Sequence, residues 1–178
     1  MAWSLDTVHS HVSFSVKHMM ISTVRGRFDA FAGSLELDEE HPETSSLEVT
    51  IDVASINTGD TGRDGHLKSA DFFETDKYPT AAFKSTKVEK VGDDEYRIEG
   101  NLTLHGVSRA VVLKATLDGL TKDMQGRRRA GFTVTSAINR KDFDLNWNVA
   151  LETGGVLVSD KVNIEIDAQI IERVPVTA

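Results

Sequence analysis

Six histidines, no cysteine and a few arginine and aspartate positions are the side chains of this 178-residue sequence that could carry chemistry. Without cysteine there is no disulfide, iron–sulfur cluster, thiol nucleophile or cysteine-containing zinc site. His9 and His11 share one face of a strand, a spacing that chelates a metal when a third ligand arrives from elsewhere. No third ligand stands at a diagnostic spacing, so two polar side chains on a solvent face are the better reading, and no metal or other cofactor is expected. Arg63, Asp64 and His66, with Ser10 or Thr58, could be assembled into a hydrolytic site. That needs nucleophile, base and orienter in contact, and the G-x-S-x-G elbow that supplies such geometry is missing. Catalysis is therefore the lesser expectation.

Two further residues matter because of where alternation points them. His18 is in phase with Phe14 and Val16, and Arg140 with Val134, Ser136 and Ile138, so both aim inward if their strands stay regular. For His18 a structural role is favoured over ligand contact. A buried guanidinium must find acceptors, since an unpaired one costs several kcal/mol. Asp64, Asp142 or Asp144 could supply them, or the acidic head of a ligand at a barrel mouth. Arg127-Arg128-Arg129, the one basic run, reads as a solvated hairpin turn, with phosphate or membrane-surface contact the minor alternative.

The elements that would position these groups are strands. Val8, Ser10, Val12, Phe14 and Val16 fall on one face, and the same period-two pattern recurs around Phe31–Leu37, Leu47–Val53, Ala81–Val88, Ile98–Leu104, Val111–Leu117, Phe132–Ile138 and Val162–Ile170. That makes eight strands, joined by polar turns that predict antiparallel neighbours. The one long interruption, Ser55 to Tyr78, contains a helix-compatible stretch in which Leu67, Ala70 and Phe72 or Phe73 recur at helical spacing, with Thr61 or Ser69 as N-cap. A second helical turn fits Arg140 to Trp147. Eight antiparallel strands hide their edges as a closed barrel or as a two-sheet sandwich. No repeat or linker divides the chain, so a single domain over 1–178 is expected.

A barrel of this size is either filled by side chains or holds one small ligand. The inward set mixes bulky residues (Phe14, Phe28, Phe83, Leu102, Phe132) with small ones (Ser10, Gly33, Gly100, Ala115, Ser136, Ala168), which leaves both open. If the barrel is hollow, those bulky residues together with Val16, Leu104 and Ile138 line it. Phe72, Phe143 and Trp147 then border its entrance; otherwise they plug its ends.

Composition narrows the partners. A formal charge of −8, from 28 acidic and 20 basic residues, argues against nucleic acid. The 39% apolar and 27% charged fractions belong to a protein with a real core. No stretch approaches the roughly eighteen apolar residues of a membrane helix, so no stable membrane insertion is expected. The opening MAWSLDTVHS lacks the pattern of a secretory signal, so as written the chain reads as cytoplasmic, or as periplasmic or extracellular if a leader was removed.

Trp3-x-Leu5-Asp6, His9-Ser10, Phe14-x-Val16-Lys17-His18, Val24-x-Gly26-x-Phe28 and Gly33 resemble the opening of the YceI-like family of polyisoprenoid-binding proteins with lipocalin-like fold. The likeness runs through Ser55-Ile56-x-Thr58-Gly59, Arg63-Asp64-x-His66-Leu67, Asp71-Phe72-Phe73 and Tyr78-Pro79. It continues through Gly100-x-Leu102-Thr103-x-His105-Gly106-Val107 and Ile138-Asn139-Arg140-x-Asp142-Phe143 to Trp147, Val162 and Ile164. One departure is Asp144, where the family usually has glycine. The resemblance implies an eight-stranded antiparallel barrel, a homodimer, and non-catalytic binding, carriage or sequestration of a long isoprenoid or alkyl chain. It marks His18, Arg63, Asp64 and Arg140 as the polar residues for a head group or mouth, and His105 as a further signature residue that by alternation opposes Leu102 and Leu104 and faces away from the channel. Ten methylene-sized groups at ~0.8 kcal/mol each would suffice, in gross terms, for micromolar affinity. The competing expectations are an enzyme or enzyme subunit acting on such a lipid through His18 or His66, and a filled-barrel stress or structural protein. A cavity for a chain of twenty or more carbons would count against the last.

Overall fold

A computed structural model describes residues 1–174; the last four residues of the expected 1–178 domain lie outside the described residues. It holds eleven strands: β1 (Ala2–Leu5), β2 (His11–His18), β3 (Ser22–Phe28), β4 (Phe31–Glu36), β5 (Ser46–Asp52), β6 (Ile56–Asn57), β7 (Thr80–Lys90), β8 (Glu95–Leu104), β9 (Val107–Lys122), β10 (Arg128–Asn139) and β11 (Val158–Glu172). All pairings are antiparallel, in the order β1-β4-β5-β7-β8-β9-β10-β11-β2-β3-β6, and β1 also pairs with β11. Eleven segments make eight strands because the first three strands are bent. β2 continues β1, β4 continues β3 and β6 continues β5, so neighbours pair twice: β1 with β4 and β2 with β3, then β4 with β5 and β3 with β6. The result is the closed eight-stranded antiparallel barrel expected from the sequence.

The bends are pinned by serines. The Ser10 hydroxyl, buried, donates to the Gln169 carbonyl and accepts from the Gln169 N–H, fixing the β1–β2 corner to β11. The Ser55 hydroxyl accepts from the Ala30 N–H and donates to the Asp52 carbonyl, joining the other two corners. These corners hid three segments from the sequence reading. They also correct the placement of Val8: it lies in the β1–β2 corner, 80% exposed, not on the inner face.

A bulge in β7 settles another feature. Ala81 and Phe83 point inward at odd positions but Val88 at an even one, which regular pleating forbids. The pairing with β8 shifts between Ser85 and Lys87, so one extra residue reverses the parity.

The one α-helix, α1 (Thr61–Lys68), lies earlier than expected. Asp60 caps it by accepting from the Arg63 N–H at 3.0 Å, and Ser69 stands at its C-terminal end rather than its start. The second expected turn is a 3-10 helix over Arg140–Phe143, closed by Asp144 at φ 57°, ψ 26°. That left-handed conformation explains why glycine suits the position, and aspartate is among the residues that tolerate it.

The barrel's two halves differ. Near the β1 start and β11 end it is filled, with Trp3, Ala130 and Ile170 in one cluster and Phe83, Val88, Ile98 and Ala115 in the next. At the α1 end the core of Val53, Ala81, Leu104, Phe143 and Leu145 leaves room.

Candidate functional site

The room is a cavity of about 150 Å³ between the strand walls and the α1 segment. Of the expected lining residues, Phe14, Val16, Phe28, Phe72, Leu102, Leu104 and Ile138 border it. So do Val12, Ile51, Leu67, Phe73, Ala81, Leu145, Val158, Val162 and Ile164. For those on strands the inward phase was readable from alternation; Leu67 sits in the last turn of α1, and Phe73 and Leu145 follow helical turns, where no strand period marks a face. Four expected residues lie elsewhere. Phe83 and Phe132 pack into the filled half, Phe143 is core at 1% exposed, and Trp147 stands behind Phe72 at 5.2 Å between ring centres.

One contact keeps the space open. The tip of the Phe14 ring takes the place of a Gly26 side chain, whose Cβ would come within 2.3 Å of the ring Cζ. With no side chain at Gly26, the ring rests on the wall, tilted by 41° to Phe28 at 5.5 Å between ring centres, and Phe28 in turn meets Phe73 edge-on at 6.3 Å.

The polar residues form the frame around this space rather than its contents. Arg140, 4% exposed, donates from Nε to the Ser159 carbonyl at 3.0 Å, from Nη1 to the carbonyls of Leu145 at 2.5 Å and Trp147 at 2.9 Å, and from Nη2 to that of Val158 at 3.2 Å. Its nearest carboxylate is Asp160 at 3.9 Å, so none of Asp64, Asp142 and Asp144 is its partner. Burial lowers the guanidinium pKa from its ordinary value, and the Asp160 charge acts the other way. The side chain borders the cavity, but its nitrogens face backbone.

Arg63 and Asp64 clasp the loop before α1. The Asp64 carboxylate accepts from the Thr58 N–H and hydroxyl at 2.9 and 2.5 Å, while Arg63 donates to the Thr58 hydroxyl and carbonyl at 2.8 and 2.9 Å. Thr58 is thus the hub of the clasp. His66 is 2.9 Å from Asp71 and set edge-on against Phe72 and Trp147, at 5.1 and 4.8 Å between centres. His18 is half-buried at the end of β2, opposite Ser22 and Val158, and does not border the cavity. His105, at the β8–β9 hairpin, donates from Nδ1 to the Phe143 carbonyl at 3.0 Å and so ties that hairpin to the 3-10 turn. His9 is bonded to Asp6 at 2.8 Å, and His11 is exposed. Among the described residues no three metal-ligating side chains come together.

The basic run is corrected in part. Arg127 and Arg129 pair with Asp123, Arg129 reaches Asp6 at 2.8 Å, and Arg128 pairs with Glu39 and lies over the Trp3 ring. Arg128 and Arg129 pack at the filled end of the barrel, while Arg127, its side chain 41% exposed, stays in the hairpin turn.

As the side chains stand, the volume suits a ring-sized or isoprene-sized group, since an apolar cavity of about 150 Å³ admits benzene. A twenty-carbon chain has to displace some of them.

Comparison with known proteins follows the fold. A UPF0312 protein of Staphylococcus aureus (strain N315) is 37% identical over 168 residues, 94% of this chain and 95% of that one. The solved structure of the YCEI protein of Campylobacter jejuni superposes with a TM-score of 0.76 at 34% identity, covering 89% of this chain and 90% of that one. A polyisoprenoid binding domain from Saccharophagus degradans shares the fold with a TM-score of 0.73 at 21% identity, over 96% and 98%. The family model for the YceI-like domain matches residues 3–170, and with these relatives it establishes that the chain belongs to the YceI-like family.

Proposed function

We propose that this protein is a non-catalytic binder that carries or sequesters an apolar chain lipid, isoprenoid or alkyl, in the cavity at the α1 end. The observation that carries the reading is the wall itself: apart from Ser13 and Arg140 it is built from aliphatic and aromatic side chains, and Arg140 already has backbone acceptors at every nitrogen. An acidic head group gains nothing inside such a wall, so the hydrocarbon enters and the polar end stays at the mouth. The shared fold with a polyisoprenoid binding domain supports the same ligand class. A five-carbon unit at ~0.8 kcal/mol per methylene contributes about 4 kcal/mol, so tight binding requires Leu67, Phe72 or Phe73 to give way and admit more chain. Those three side chains come from the α1 segment and its following loop, not from the strand ladder. The unit in this reading is the single domain over 1–178, and the family resemblance adds pairing as a homodimer.

Gently purified protein, extracted with solvent and analysed by mass spectrometry, tests this directly. A stoichiometric isoprenoid or alkyl species is expected. Empty protein that also fails to take up geranylgeraniol overturns the reading. Leu102→Glu puts a charge in the wall and is expected to abolish uptake of a fluorescent apolar probe with far-ultraviolet dichroism retained.

A further inference from the structure

Beyond the cavity, the molecule leaves apolar side chains bare at one place next to it. The β2–β3 hairpin turns on Met19, Met20 and Ile21, which are 45%, 57% and 83% exposed. Met19 and Met20 both hold left-handed backbone, at φ 52° and 64°, a conformation that glycine or asparagine adopts with less strain. Turn chemistry therefore does not account for methionine there. The hairpin is braced rather than free: the Met19 N–H donates to the Leu157 carbonyl at 2.8 Å, and Met20 lies against Gly155. Val149, 47% exposed, adds to the same surface through the Val149 carbonyl bonded to the Leu157 N–H.

This tip continues the cavity wall. Val16, three residues before Met19, borders the cavity; so does Val158, which pairs with His18 and directly follows Leu157. The surroundings are also short of charge. In a chain that is 27% charged, residues 18–24 and 145–159 together contain one acidic side chain, Glu152, and no lysine or arginine. The flanking Lys17 amine is bonded to the Thr23 hydroxyl at 2.9 Å, and beyond it come Arg25, Lys141, Asp160 and Lys161, of both signs.

We infer that the Met19–Met20–Ile21 tip is a docking point for a lipid surface, entering the acyl boundary of a bilayer so that the cavity lies beside the membrane. A stable contact between two proteins buries about 800 Å² on each side, far more than a three-residue hairpin tip offers. A lipid surface has no such threshold, because each apolar side chain that enters it contributes independently. With charges of both signs around the tip and −8 overall, the contact is apolar and needs no anionic lipid.

The purpose assigned to the contact rests on the lipid-binding reading above, but its existence is measured separately. The full chain is mixed with phosphatidylcholine vesicles and floated on a density gradient. Binding is expected, and it should persist at high salt and not strengthen when phosphatidylglycerol is added. The double variant Met20→Glu/Ile21→Glu is expected to lose at least about tenfold in vesicle affinity. Its uptake of a fluorescent apolar probe without vesicles should match that of the parent. Ile21→Trp supplies a reporter should the double variant fold poorly: its emission is expected to shift to the blue on vesicles and to be quenched by brominated lipid. Undiminished flotation of the folded double variant overturns the inference, as does failure of the parent to float. A tip that instead covers a second copy, seen as loss of a dimer by light scattering with no vesicle binding, also overturns it. Probe uptake with no flotation leaves the lipid-binding reading standing without the docking tip; flotation with no uptake does the reverse.

Discussion

The two halves of the barrel use the same motif to opposite ends. In each, the tip of a phenylalanine ring takes the place of a missing side chain on a neighbouring strand: Phe83 at Gly100 and Phe14 at Gly26. Around Phe83 the space is closed by Val88, Ile98 and Ala115, and a Cβ at Gly100 would stand 2.5 Å from the Lys84 carbonyl oxygen as well as 2.4 Å from the ring. Phe14 itself borders the cavity, and the atoms nearest a Cβ at Gly26 belong to the side chains of Phe14 and Thr58. The same contact completes a core in one half and holds a void open in the other. The difference is whether the glycine's other neighbours are backbone, which cannot move, or side chains, which can.

That contrast can be broken by substitution. Trp3→Ala empties the centre of the filled half and is expected to cost about 3–5 kcal/mol. Leu102→Ala, facing existing space, should stay near the low end for such truncations, about 2 kcal/mol, while raising the capacity for a longer prenol. Equal losses in urea denaturation would mean that the cavity half is packed as tightly as the other. Arg140→Met takes the guanidinium donor from the carbonyls of Leu145, Trp147 and Ser159, while that of Val158 keeps the Asn148 amide, and is expected to cost about 3 kcal/mol, with probe uptake per folded molecule unchanged. Uptake lost in a fully folded Arg140→Met protein would make the guanidinium a ligand contact after all.

The glycine pair sharpens the comparison most directly. Gly100→Ala is expected to cost about 1–3 kcal/mol, because overpacking against a carbonyl has no outlet. Gly26→Ala should cost about 1 kcal/mol or less and instead push the Phe14 ring into the lumen, lowering probe uptake severalfold. A reversal of these two results would refute the assignment of hollow and filled halves.

The smallest effect belongs to the closed end. Burial pushes the Asp6 carboxyl up, but hydrogen bonds from His9, Arg129 and the Val8 N–H outweigh it and leave its pKa below the ordinary value. A depressed carboxylate contributes stability that is fully present above the unfolded value, about 3.9, and that is lost as pH falls through the folded one. Asp6→Asn is expected to lower the melting temperature slightly at neutral pH and to flatten its decline in acid. An unchanged acid limb would place the sensitivity in other carboxylates.

The alternation of Leu47–Val53, Ile98–Leu104 and Val162–Ile170 made the barrel legible, because one wet and one dry face leave a period of two in any strand that keeps its pleat. The corners at Asp6–Ser10, Asp29–Ala30 and Val53–Ser55 were not legible, since a bend resets the phase and leaves segments too short to show one. Among site residues, those on strands followed from parity. Arg140 was read correctly as inward, but its partners are carbonyls, and every residue has one, so no sequence pattern could single them out. Whether space remains between inward side chains depends on contacts such as Phe14 on Gly26, which join residues on different strands.

The bulge in β7 has a consequence for how this chain can change length. Pleating makes each inward residue's orientation depend on the count from the last irregularity, and the extra residue between Ser85 and Lys87 is where that count can change. Removing Thr86 would leave Ser85 opposite Gly100, Lys87 opposite Glu99 and Val88 opposite Ile98, so the strand becomes regular and Val88 stays inward. Filling the bulge position again, or losing it, is therefore a one-residue change that this strand absorbs without turning a face over. Viable length variants of β7 should cluster at the bulge and at the polar turn Gly92–Asp94.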